Sequence, residues 1–156
     1  MSLSAPSSPA VNGAGFRFGI VAARFNETLV NGLLARVRAG LAAAGVKPAN
    51  VKVVRVPGSH EVPWAAQALA CGRCDCVIGL GVLIAGDTSH HEMVGTSVSQ
   101  ALQRVALDTR VPVINGVIVV NSEAQARARC IGPINRGAEF AAAALAMAAL
   151  KKEFSK

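Results

Sequence analysis

The chain has 156 residues, 52% of them hydrophobic and 16% charged, with a mean hydropathy of +0.42. That is one domain's length and enough to bury a core. It is too apolar and too weakly charged to stay disordered, and no apolar run approaches the roughly 18 residues that cross a bilayer. Sixteen basic residues against nine acidic ones give +7, a balance that suits anionic ligands. The basic residues are scattered and tyrosine is absent, so a base-stacking surface is not expected and neither nucleic acid nor membrane is an expected partner. The apolar surplus points instead to contacts between subunits.

Residues 1–15 (MSLSAPSSPAVNGAG) are small, polar and rich in Pro and Gly. They lack the apolar stretch of a secretory signal and the Arg-rich character of a transit peptide, and read as a flexible arm before one domain over 16–156. FRFGIVAARF (16–25) reads as a strand buried on both faces. Leu33, Val37 and Leu41 recur every four residues as a helix that Gly45 stops. VKVVRVPG (51–58) is a second strand, ended by Pro57 and Gly58. Pro63 suits a first helical turn, and that helix runs through Ala70. CVIGLGVLI (76–84) is the third strand; a helix then starts near His90, capped by Thr88 or Ser89, with Val94, Leu102 and Val105 inward. VPVINGVIVV (111–120) is the fourth strand. Ser122 caps a short helix through Arg129, Gly132 and Pro133 break it, and an Ala-rich helix begins at Arg136 and carries Phe140, Leu145 and Met147.

Strand and helix alternate throughout. Right-handed crossovers then give a three-layer α/β/α domain, with a four-stranded parallel sheet flanked by helices. Cys71, Cys74 and Cys76 form a C-x-x-C-x-C cluster, but Cys76 falls at the start of a strand and packs as a small hydrophobe. No metal is expected there. Reduced thiols and the lack of a secretory signal fit the cytoplasm. Gly79-x-Gly81 is no dinucleotide fingerprint, because strand continues after the second glycine.

In such sheets ligands collect outside the carboxyl ends of the strands. Those ends are read as Phe25-Asn26, Ser59-His60-Glu61, Val82 to His90, and Asn115-Gly116. Gly86-Asp87-Thr88-Ser89-His90 is a hydroxyl-rich turn entering a helix, where free N–H groups suit a phosphate. His90 in that first turn is either an exposed side chain or a proton-transfer group, since the helix dipole disfavours an imidazolium there. Glu61 either caps the next helix or meets ligand hydroxyls. Phe25 is either core or a stacking surface for a heterocycle.

The chain resembles the 6,7-dimethyl-8-ribityllumazine synthase family. The resemblance lies in ARFN (23–26), VPGSHEVPWAA (56–66), GDTSH (86–90), VPVINGV (111–117), NSEAQARAR (121–129) and NRG (135–137), in the family's order and spacing. It implies a flavodoxin-like fold and a cytoplasmic transferase of riboflavin biosynthesis. Such an enzyme condenses 5-amino-6-(D-ribitylamino)uracil with 3,4-dihydroxy-2-butanone 4-phosphate and releases phosphate and water, with no cofactor and no metal. By motif position the resemblance implies that Phe25 stacks on the pyrimidine, and that Ser59, His60 and Glu61 hold the ribityl chain and pyrimidine. It makes Val82, Leu83 and Ile84 the strip that reads the uracil edge, Asp87 and Thr88 the phosphate turn, Arg129 the phosphate clamp and His90 the proton-transfer group. Asn115 and Arg129 are implied to come from a neighbouring subunit, in a pentamer or a larger shell. Ala85 where Arg is usual, Val119-Val120 for a Thr pair, Ala128 for an acidic residue and Ser97 for Glu depart from the family pattern. Ala85 and Ala128 motivate an alternative, a catalytically weak shell protein that binds flavin or lumazine.

Overall fold

Six consecutive apolar or small residues, Phe18–Ala23, form β1, every one of them buried. A strand with no polar face needs cover on both sides, and the rest of the chain supplies it. In the computed structural model, which describes residues 4, 6, 7 and 9–156, β1 is followed by α1 (Glu27–Ala43), β2 (Val51–Val56), α2 (Val62–Ala70) and β3 (Cys76–Ile84). Then come α3 (His90–Thr109), β4 (Val113–Val120), α4 (Glu123–Cys130) and α5 (Arg136–Phe154). The strands are all parallel, in the order β2-β1-β3-β4. Helices α1, α4 and α5 cover one face through a core that includes Leu33, Ile78 and Phe140. The other face is covered by α2 and α3, through Val62, Val94 and Leu102. This is a three-layer, flavodoxin-like α/β/α arrangement.

Local signals and tertiary packing agree over most of this frame. Gly45 follows α1 at φ 90°, a conformation other residues avoid. Pro63 lies in the first turn of α2, and Ser122 Oγ accepts the N–H of Gln125 at 3.2 Å to cap α4. The structure refines three readings. Met147 is 38% exposed, and the inner face of α5 is carried by Phe140, Ala141, Ala144, Leu145 and Ala148. Small side chains suffice there because α1 and α5 approach closely: a Cβ on Gly137 would stand 2.5 Å from Arg36 Cβ and 2.9 Å from the Leu33 carbonyl. Of the two cap candidates, Ser89 occupies the N-cap position of α3 without a side-chain bond, and Thr88 Oγ1 accepts the His90 N–H. Asn115 does not end a strand, since β4 continues to Val120.

Residues 1–3, 5 and 8 of the expected arm lie outside the described residues. Its last part rests on the body: the Gly13 N–H donates to the Ala44 carbonyl at 2.7 Å, and Val11 packs against the larger core.

Two predictions concern the sheet face covered by α1, α4 and α5. Gly137→Val should lower stability by about 1–3 kcal/mol, because a backbone carbonyl cannot move aside as a flexible side chain can; the urea midpoint reads it. Burial pushes the Cys130 thiol up to about 11, against a partial downward pull from Arg36 and Arg129. Above about pH 9 the unfolded chain releases this proton while the folded chain keeps it, so stability falls as pH rises toward 11. The urea midpoint should drop over that interval, and the drop should be shallower in Cys130→Ala.

Candidate active site

The chain leaves β1 in one direction for β2 and returns past it to β3, so the carboxyl ends of β1 and β3 bound a topological switch point. A cavity of about 500 Å³ opens there. β1 pairs with β3 only as far as Ala22 opposite Leu80, whereas β3 runs on to Ile84 against β4. The tip of β3 is therefore free of β1 along one edge. On that edge the Val82 carbonyl accepts the Asn26 Nδ2 at 2.9 Å. By strand alternation the N–H and carbonyl of Ile84 face the same way.

Asn26 holds this corner. It adopts φ 55°, ψ 46°, a left-handed conformation that asparagine tolerates better than most residues. Its carbonyl accepts the first N–H groups of α1, from Leu29 and Val30. Reversing the chain here turns Phe25 outward, where its ring is 72% exposed on the cavity wall. The Phe25 N–H is tied to the Pro57 carbonyl at 3.1 Å. Phe25 is a wall of the site, and the core alternative is set aside.

Gly58 faces that ring. A Cβ there would come within 3.2 Å of both Phe25 Cδ2 and Glu61 Oε2, so the glycine serves close approach. The Gly58 N–H donates to Glu61 Oε2 at 2.9 Å, closing a short 3₁₀ turn over Ser59–Glu61. Glu61 Oε1 lies 3.7 Å from His60 Nδ1, with both side chains exposed. One carboxylate oxygen thus caps the turn, the other lies toward His60, and both residues line the cavity.

Leu83 and Ile84 continue the wall, and beyond them Gly86 and Thr88 lead into α3. Thr88 Oγ1 accepts the His90 N–H at a long 3.4 Å. A Cβ on Gly86 would meet nothing within 4 Å, so the turn is open to a ligand beside the positive end of a twenty-residue helix. His90 is exposed and lines the cavity with His91 and Val94.

Of the residues expected at the site, Phe25, Ser59, His60, Glu61, Val82, Leu83, Ile84, Thr88 and His90 are brought together around this cavity. Asp87, Asn115 and Arg129 are not among its lining residues. Asn115 sits mid-strand opposite Gly79, its Oδ1 accepting the Val117 N–H. Arg129 folds back along α4 and donates to the Gln125 carbonyl at 3.0 Å. Among the described lining residues there is no Lys or Arg. Asn26, read from the sequence only as part of a strand end, and His91, which was given no role at the site, also line the cavity. For Asn26 the signal was its place before a helix, at the tip of a strand; for His91 it was the spacing to Val94, Val98 and Leu102.

A doubly wound α/β domain with a strand-tip cavity at its switch point, walled by an exposed ring and flanked by a helix N-terminus, is built to bind a flat ligand beside an anion. The sequence profile of the family described as 6,7-dimethyl-8-ribityllumazine synthase matches residues 15–152. A protein of that name from Polaromonas sp. is 41% identical over 150 residues, covering 96% of each chain. One from Thermococcus gammatolerans is 42% identical over 145 residues, covering 92% of this chain and 93% of its own. Another, from Mycolicibacterium vanbaalenii, is 42% identical over 153 residues and 96% of each chain. The chain belongs to the 6,7-dimethyl-8-ribityllumazine synthase family, whose members are transferases of riboflavin biosynthesis.

Proposed function

We propose that the cavity condenses 5-amino-6-(D-ribitylamino)uracil with 3,4-dihydroxy-2-butanone 4-phosphate to give 6,7-dimethyl-8-ribityllumazine, in an assembly of identical subunits. The pyrimidine stacks on Phe25, and the N–H and carbonyl of Ile84, free on the edge that β1 vacates, pair with the donor and acceptor of the uracil edge. The ribityl hydroxyls meet the Ser59–Glu61 turn. The butanone phosphate lies at the open turn before α3, over Asp87 and Thr88.

The 5-amino nitrogen attacks the ketone and water leaves to form the imine. A proton is then taken from the adjoining carbon as phosphate departs. The enol left by that elimination takes a proton at its terminal carbon to become a methyl ketone; the ribityl-bearing nitrogen closes the ring on this new carbonyl, and a second water leaves. Each step moves a proton at the junction of the two substrates, the position of His90 beside the phosphate turn. Much of the acceleration comes from holding two reactants in register.

One observation carries the reading that the site spans two subunits. A phosphate site with a helix N-terminus but no lining Lys or Arg of its own lacks its cationic clamp. Arg129 and Asn115 lie away from that cavity in the same chain, and they complete the cavity of a neighbour. The apolar side chains left exposed, Trp64 at 78% and Met93 at 63% among them, supply surface for such contacts. The proposed assembly is a cytoplasmic pentamer, alone or as the unit of a shell; the exposed apolar surface supports self-association without fixing the number of subunits. No helix among the described residues is long and apolar enough to cross a membrane.

Mixing the two substrates with the protein should produce lumazine fluorescence well above the uncatalysed background, and light scattering should give a mass several times 16.0 kDa. Fluorescence at the background rate alone would reject the catalytic reading and leave the weak-binding alternative.

A further inference from the structure

Helix α3 turns a stripe of His91, Val94, Val98, Leu102 and Val105 inward. Four members are aliphatic and the first is an imidazole. His91 is 9% exposed, and its Nε2 lies 4.0 Å from Glu92 Oε1. Its Nδ1 is buried and has no hydrogen-bond partner. On the same cavity, Ser59 is 4% exposed and its Oγ is likewise buried without a partner. The turn that carries Ser59 packs against α3, and the hydroxyl itself lies over Gly81, where a Cβ would stand 2.3 Å away. Among the described residues the only other side-chain atom in this state is Arg55 Nη1, on the edge strand β2.

A buried polar atom left unpaired is costly, and such atoms are rare in folded proteins. Two of them on packed elements of one cavity are chemically matched. A hydroxyl both donates and accepts, so it partners an imidazole nitrogen in either tautomer.

We propose that His91 is a positioning residue, whose Nδ1 pairs with the Ser59 hydroxyl, by rotation of that hydroxyl or through one bridging water, and so locks the substrate-binding turn onto α3. The inference rests on the proposed function for the identity of the substrate, but not for the pairing itself. His91 does not touch the reacting atoms; it acts through the turn. Its loss therefore weakens capture of the ribitylaminouracil more than it slows turnover.

His91→Phe should raise the KM for the ribitylaminouracil roughly tenfold, the worth of about one buried hydrogen bond, with a smaller change in kcat. His91→Asn, which keeps a polar atom near the Nδ1 position, should restore most of the loss. Ser59→Ala and His91→Phe should be strongly non-additive in combination. Independently of activity, ¹⁵N-histidine spectra should show the His91 Nδ1 resonance shifting in Ser59→Ala while those of His60 and His90 hold. An unmoved His91 resonance, or additive KM effects, would overturn the proposal. Should His91→Phe fail to fold, His91→Asn and the spectra of Ser59→Ala decide it. A protein that makes no lumazine at all would defeat the proposed function and leave the spectroscopic test of the pairing intact.

Discussion

His90→Ala should slow lumazine formation by about 10²- to 10⁴-fold, the usual contribution of one positioned proton-transfer group, with stability unchanged. The expectation follows from placement. His90 opens α3, its side chain is exposed and lines the cavity, and its backbone N–H is held only by a long bond to Thr88. Removing an exposed imidazole leaves no hole in the core, so urea midpoint and oligomer mass should match the parent protein. The loss should fall on kcat, since stacking on Phe25 and the Ile84 backbone contacts survive. An unchanged kcat would remove His90 from the chemistry and leave positioning alone to account for the rate.

Subunits of His90→Ala and Arg129→Ala, each nearly inactive alone when the butanone phosphate is held well below the parent KM, should regain activity when dissociated and reassembled together. Arg129→Ala by itself should raise the KM for the butanone phosphate by about 10- to 100-fold, as expected for loss of a charge-assisted phosphate contact. If every site takes its imidazole from one subunit and its guanidinium from the next, random 1:1 mixing leaves about one site in four with both groups. Activity should therefore approach about a quarter of the parent level. A site built within a single chain predicts no recovery. The distinction is sharp because Arg129 lies outside its own chain's cavity, bonded to the Gln125 carbonyl.

The same two residues mark how far the sequence could be read. FGIVAA and CVIGLGVLI are apolar throughout, and a strand with no polar face belongs in the middle of a parallel sheet. Residues 18–23 and 76–84 accordingly form the two central strands. The caps and breaks at Gly45, Pro63 and Ser122 are local chemistry and were legible for that reason. VPVINGVIVV was legible as a strand, yet its functional tip was misplaced at Asn115. Where a strand stops depends on how far its neighbour continues, and β3 holds β4 as far as Ile84 opposite Val120. Phe140, Leu145 and Met147 were the large apolar residues legible in the last helix. The close approach of α1 to α5 at Gly137 leaves room for alanines instead, and no single-helix pattern reports the distance to another helix.

His91 and Asn26 show the limit at the site itself. A histidine on an apolar stripe gives no sign in one dimension of whether its ring nitrogens find partners, because the candidate, Ser59, lies thirty-two positions earlier in the chain. The Asn26 bond to Val82 spans fifty-six positions.

From the residues alone came the alternation of strand and helix, the parallel sheet, the family resemblance and most of the residues around the cavity, because periodicity, caps and turn chemistry are properties of neighbours in the chain. Tertiary structure decided that β1 stops short of β3 and bares the Ile84 backbone, that two residues with buried, unpartnered polar atoms line one cavity, and that Asn115 and Arg129 stand apart from it. These depend on strand register and on distances between elements, which form only when segments far apart in sequence pack together.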